Sequence, residues 1–118
     1  MTGKICLRYN LDGKKKRLNI NVRKLGPCGM ARGLMFRNKK FSRALLFSFS
    51  REGKWKIHSL FVFLKFLAIY TDKDNNILEV KEVYPGKLSI TPSIKYKKLI
   101  EIPLNNEHFD EVRRLVDK

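Results

Sequence analysis

The sequence predicts a mainly β, single-domain protein: an antiparallel β-sandwich or partly open barrel with short helical turns and one C-terminal helix. Three observations predict it. Short segments alternate apolar and polar residues at the two-residue period of a strand. Turn residues punctuate those segments at short intervals, and helical spacing recurs convincingly in one stretch alone, at the end of the chain. The 118 residues suit one domain, taken as 1–118. A chain of this length buries about two-thirds of the surface it exposes when unfolded, and a hydrophobic fraction of 43% can fill that core without disulfides.

The first element is a hairpin. "KICLRYN" at 4–10 alternates loosely and "KRLNINV" at 16–22 strictly, with Leu18, Ile20 and Val22 on one face and Asn19 and Asn21 on the other. Between them, Asp12-Gly13 supplies the positive φ angles of a tight turn. Gly26, Pro27, Gly29 and Gly33 then exclude a long helix, so "MARGLMF" is predicted to make one or two helical turns. "RALLFSFS" at 43–50 reads as a strand with Leu45, Phe47 and Phe49 on one face. The apolar run "IHSLFVFLKFLAIY" at 57–70 is long enough for two strands that bend near Leu64-Lys65.

"DKDNN" at 72–76 is turn chemistry, because Asp and Asn bond their own backbone and tolerate left-handed conformations. The strand "ILEVKEV" follows at 77–83, and Pro85-Gly86 and Pro92 punctuate "KLSI" and "KYKKLIEI". The C-terminal helix is predicted over about 105–117: Phe109, Val112, Leu115 and Val116 share a face, and Asn105 or Asn106 can cap it. Its acidic residues come early and its basic residues late, as the helix dipole favours. The total is seven or eight strands.

Charge is the strongest functional signal. The formal net charge is +15, from 26 Lys and Arg against 11 Asp and Glu. Residues 1–56 hold 16 basic and 2 acidic side chains, residues 57–118 hold 10 and 9. Cations concentrated in one half attract phosphates and gain entropy from released counterions. The competing reading is a Lys-rich surface that serves solubility alone. No membrane is expected as partner, because the 14-residue apolar run contains His58 and Lys65 and a span needs about 20 residues. The N-terminus has no signal-peptide pattern, and two cysteines, Cys6 and Cys28, suit reduced thiols in a cytoplasmic protein.

"RGLMFR" (32–37), "ALLFSF" (44–49), "IHSLFVFLKFLAIYTDKDNNILEV" (57–80) and "KKLIEIP" (97–103), in this order and spacing, resemble the family catalogued as domain of unknown function 192. The resemblance covers about residues 22–104, and Gly33, Met35, Arg37, His58, Glu101 and Pro103 fall on matching positions. It implies a compact β-sandwich of jelly-roll type in a family without an assigned activity. The chain departs from the pattern at Ser59, Lys65 and Leu67, where the family carries Met, Pro and Asp.

Few constellations carry chemistry. Met35 reads as core, Gly33 as a position of positive φ or close packing, and Arg37 snorkels over the core, pairs with Glu101 or holds a phosphate. Cys6, Cys28, His58 and His108 lack metal-site spacing, so neither a metal nor a cofactor is predicted. No phosphate loop, nucleophile elbow or dinucleotide fingerprint occurs, and thiol chemistry at Cys28 is the residual enzymatic alternative. The sequence therefore predicts a non-enzymatic basic domain that contacts RNA, single-stranded DNA or another polyanion. Its candidate contacts are Lys14, Lys15, Lys16, Arg17, Lys39, Lys40, Arg43 and Trp55, with Tyr9 and Phe41 interleaved. The alternative is a small-molecule or protein-binding module with a pocket at Arg37 and His58. The oligomeric state is left open.

Overall fold

The computed structural model describes residues 2–25, 44–53, 66–84, 94–104 and 106–116. The hairpin forms as predicted from β1 (Thr2–Leu11) and β2 (Lys14–Leu25). Asp12 at φ 54° and Gly13 at φ 80° both adopt the positive values that a two-residue hairpin loop requires. That loop sets the register: Leu11 faces Lys14, Tyr9 faces Lys16, Leu7 faces Leu18 and Ile5 faces Ile20. Ile5, Leu7, Leu18, Ile20 and Val22 are buried on one face, and the alternate residues turn to the other.

Four further strands follow: β3 (Ala44–Gly53), β4 (Phe66–Thr71), β5 (Ile77–Val83) and β6 (Tyr96–Pro103). Among the described residues the six strands form one sheet in the order β1-β2-β3-β6-β4-β5. Four pairings are antiparallel, whereas β2 and β3 run parallel, with Val22 beside Ala44 and Leu25 beside Phe47. This departs from the wholly antiparallel expectation. A parallel pair needs a crossover connection of about a dozen residues or more, and the chain between Leu25 and Ala44 has that length.

The sheet curls into a half-barrel because its two edge strands approach each other at one seam. There the Arg8 amide donates to the Asn75 carbonyl at 2.9 Å, and Arg8 and Asn76 form an isolated parallel bridge. The inner face carries apolar side chains from all six strands, including Leu7, Ile20, Leu46, Ile69, Val80 and Ile102. A second cluster lies on the outer face of β3, β4, β5 and β6 around Leu45, Phe47, Phe66, Tyr70, Tyr96 and Leu99. Strand β4 is thus buried on both faces along its whole length. A strand enclosed on two sides reads as an unbroken apolar run, which explains why "FLAIY" shows no alternation.

The C-terminal helix α1 spans Phe109–Arg113, far shorter than predicted. Asn106 Oδ1 accepts from the His108 amide at 2.9 Å, so the Asx turn it makes precedes the helix instead of capping it. After Arg113 the chain tightens: Leu115 bonds back to Val112 at 2.9 Å and Val116 to Arg113 at 3.1 Å, three-residue steps of 3₁₀ type. The predicted apolar face is nevertheless the one that packs, with Phe109, Val112 and Leu115 buried in the inner cluster and Val116 against it. Arg113 Nε donates to Glu82 Oε2 on β5 at 3.2 Å and ties the helix to the sheet. Among the described residues no helix is long and apolar enough to cross a membrane.

Candidate functional site

The seam that curls the sheet also frames a cleft. Its volume is about 490 Å³, and it is lined by Arg8, Tyr9 and Asn10 of β1, Lys15, Lys16 and Arg17 of β2, and Asn76 and Ile77 at the start of β5. Lys15, Lys16 and Arg17 are three of the residues singled out from the sequence. Lys14, the fourth of that run, is exposed beside the turn and stays out of the lining.

Register explains how four cations come together. Arg8 stands directly opposite Arg17, and Asn10 opposite Lys15. The Arg8 amide is turned outward to Asn75. It is therefore not exchanged with Arg17, which makes the two arginines a non-hydrogen-bonded pair, the closer of the two kinds in an antiparallel ladder at roughly 4.5 Å between Cα atoms. Lys15 lies diagonally across from Arg8 on the same outer face, while Lys16 lies on the inner side next to Tyr9. All four cations are exposed, and among the described residues none of them is in an ion pair. Like charges set directly opposite each other destabilise a ladder. The hairpin accordingly carries a repulsion that its fold does not need.

The opposite wall is held by Asp72. Its Oδ1 accepts from the Asp74 amide at 2.8 Å and the Asn76 amide at 3.0 Å, and its Oδ2 accepts from Asn76 Nδ2 at 3.0 Å. Lys98 Nζ donates to Asn75 Oδ1 at 2.9 Å, and Asn75 takes the left-handed φ of 68°. These bonds fix the turn that offers Asn75 to Arg8 and Asn76 to the cleft. Burial alone would raise the Asp72 pKa, but the hydrogen bonds from Asn76 and Asp74 and the nearby Lys98 outweigh it and hold the carboxyl below its ordinary value.

The sign of that shift gives a prediction. A carboxylate favoured in the fold adds stability that is complete above the ordinary value of 3.8 and is lost as pH falls through the lower folded value. Asp72→Ala is expected to cost about 1–2 kcal/mol near neutrality, the scale of losing charge-assisted bonds at a partly exposed site. Melting curves should show that difference from wild type shrinking in acid below pH 3.8. An equal loss at all pH values would show that the carboxylate charge is irrelevant.

One acidic group lies near the cleft at Tyr9. Glu111 of α1 is close enough to Tyr9 to reinforce the effect of burial in pushing the Tyr9 hydroxyl up. Glu101, singled out from the sequence, lies elsewhere: it is buried on the outer face of β6 between Leu45 and Ala68. Gly33, Met35, Arg37, Lys39, Lys40, Arg43, Trp55 and His58 lie outside the described residues, as do Cys28 and Phe41. Cys6 is a free, half-buried thiol on β1, and among the described residues no group of three His, Cys, Asp or Glu side chains is placed to hold a metal.

Sequence reasoning passed over Arg8, Asn10, Asn76 and Ile77. Counting back from the Asp12-Gly13 turn would have placed Arg8 opposite Arg17. Nothing local in the sequence announces the arrival of Asn76 and Ile77.

No family model matches the chain, and no curated protein matches it. Solved structures do. A "putative transcription regulator" from Sinorhizobium meliloti 1021 is similar, with a TM-score of 0.75 at 16% identity over 98% of this chain and 86% of its own. A protein of unknown function from Novosphingobium aromaticivorans DSM 12444 is similar with a TM-score of 0.69 at 13% identity, over 97% of this chain and 88% of its own. At such identities the likeness is one of fold.

Proposed function

We propose that the protein is a non-enzymatic, mainly β binding domain that contacts a polyanion, RNA or single-stranded DNA, through the basic β1–β2 hairpin. The observation that carries this reading is the juxtaposition of Arg8, Lys15, Lys16 and Arg17 around one cleft without an ion pair among the described residues. Clustered cations that no carboxylate pairs gain most from a ligand that brings several phosphates at once. The similar structure described as a transcription regulator agrees with that class of partner, but at 16% identity the charge and not the likeness supports the reading.

Titration of a labelled single-stranded oligonucleotide at several salt concentrations tests it. One phosphate for each of the four lining cations predicts that the logarithm of the association constant falls against the logarithm of salt with a slope of about −3, and cations that share a phosphate make it shallower. Further cations at the interface would make the slope steeper. Absence of binding at low salt, or binding indifferent to salt, would remove the proposal.

A further inference from the structure

We propose that the seam cleft seats one phosphate group, clamped between the guanidinium groups of Arg8 and Arg17. This rests on the polyanion reading above and adds a discrete site to it. A hairpin can display scattered cations and still bind a strand loosely. Here the cations are arranged: the two arginines stand opposite each other as a close pair, and Lys15 is diagonal to Arg8 on the same face. Guanidinium groups present planar forks that match phosphate oxygens two at a time. A single carboxylate would leave most of the local charge unmatched, whereas a phosphate monoester carries roughly −1.5 to −2 near neutral pH.

Two features suit the cleft to such a ligand. The cleft volume of about 490 Å³ falls within the range of small-ligand pockets and leaves room for one nucleotide unit. Its far wall is preorganised, because Asp72 holds Asn76 by both its amide and its side chain. Asn10 and Asn76 line the cleft with polar side chains, and Ile77 adds an apolar surface. Because β1 and β5 each supply part of the wall, a bound phosphate would also link the two sheet edges.

The phosphate can belong to a free nucleotide or to a strand, and one set of titrations separates these sources. The probes are AMP, adenosine, and an oligonucleotide with and without a 5′-phosphate, against wild type, Arg8→Gln, Arg17→Gln and the control Lys4→Gln. Lys4 is an exposed cation of the same strand outside the cleft. AMP is expected to saturate at one site per chain and to shift the amide NMR signals of Arg8 and Asn76, whereas adenosine should leave them unmoved. Each arginine variant should lose roughly tenfold or more in AMP affinity, the scale of a charge-assisted bond, and Lys4→Gln less than about twofold. Tighter binding of the 5′-phosphorylated oligonucleotide assigns the seat to a strand end, and equal binding assigns it to the free nucleotide.

Two outcomes overturn the seat. One is the absence of saturable AMP binding while oligonucleotides still bind with a salt slope, in which case the polyanion reading stands without it. The other is an Arg8→Gln or Arg17→Gln variant no weaker than Lys4→Gln. Should AMP bind at one site while oligonucleotides do not bind, the polyanion reading falls and the seat remains.

Discussion

Arg17→Glu is expected to make the protein more stable and a poorer nucleic-acid binder at the same time. The substitution sets a carboxylate opposite Arg8 in a closely spaced cross-strand pair. An opposite-charge pair at such a position contributes about 0.2–1 kcal/mol, and the like-charge pair it replaces opposes folding. Both changes favour the hairpin. The ligand experiences the reverse, since one cation is lost and one anion added where phosphates gather. The salt slope should flatten by up to about 0.7, the share of one phosphate contact on a single strand. Affinity at low salt should drop at least tenfold, or about 1.4 kcal/mol. A thermal melt and an oligonucleotide titration on the same sample read both effects. Misfolding cannot imitate the pair of results, because it would lower stability along with binding. A variant that loses stability while binding normally would make Arg17 a structural residue and take the hairpin out of the interface.

The elements that were legible in the sequence are those set by local rules. Asp12-Gly13 dictates a two-residue loop, and the loop dictates the register that buries Leu7 and Leu18 together. The turn at 72–76 was legible for a similar reason, since Asp72 bonds the backbone two and four residues ahead. The C-terminal segment shows where such rules stop. Spacing identified Phe109, Val112 and Leu115 as a buried face, but a five-residue helix followed by 3₁₀ turns satisfies that spacing as well as a long helix does. The parallel pairing of β2 with β3 could not be read locally, because strand direction depends on how the intervening chain crosses over. The site divides along the same line. Lys15, Lys16 and Arg17 were found as a charge run, whereas their convergence with Asn76 and Ile77 depends on the curl of the whole sheet.

Tyr70→Ala is expected to cost about 3–5 kcal/mol, the usual loss for emptying a fully buried aromatic site, yet Tyr70→Phe should be neutral or slightly stabilising. The ring is completely buried in the outer cluster and meets Tyr96 edge-on, with centroids 4.7 Å apart at 61°. Tyr96 in turn meets Phe49 at 5.5 Å and 86°. Aromatic contacts of this kind contribute roughly 0.5–1.5 kcal/mol beyond burial, and Phe keeps them. The hydroxyl is another matter: among the described residues Tyr70 Oη is buried without a hydrogen-bond partner, so deleting it removes an uncompensated desolvation cost.

The same environment gives a pH signature. Burial foremost, then the charges of Glu79 and Glu101, pushes the Tyr70 hydroxyl far above its ordinary value of 10, and burial with Tyr70 and Glu101 does so for Tyr96. The folded state therefore holds these protons more tightly than the unfolded chain. Their contribution to stability is complete below pH 10 and declines as pH rises above it, because the unfolded tyrosines ionise first. Denaturant titrations at neutral pH and above pH 10 should show Tyr70→Phe losing less stability in alkali than wild type. Binding provides the internal control. Tyr70 does not line the seam cleft, so Tyr70→Phe should bind the oligonucleotide as wild type does. A Tyr70→Phe variant destabilised by more than about 1 kcal/mol at neutral pH would mean that the hydroxyl makes a stabilising bond in solution.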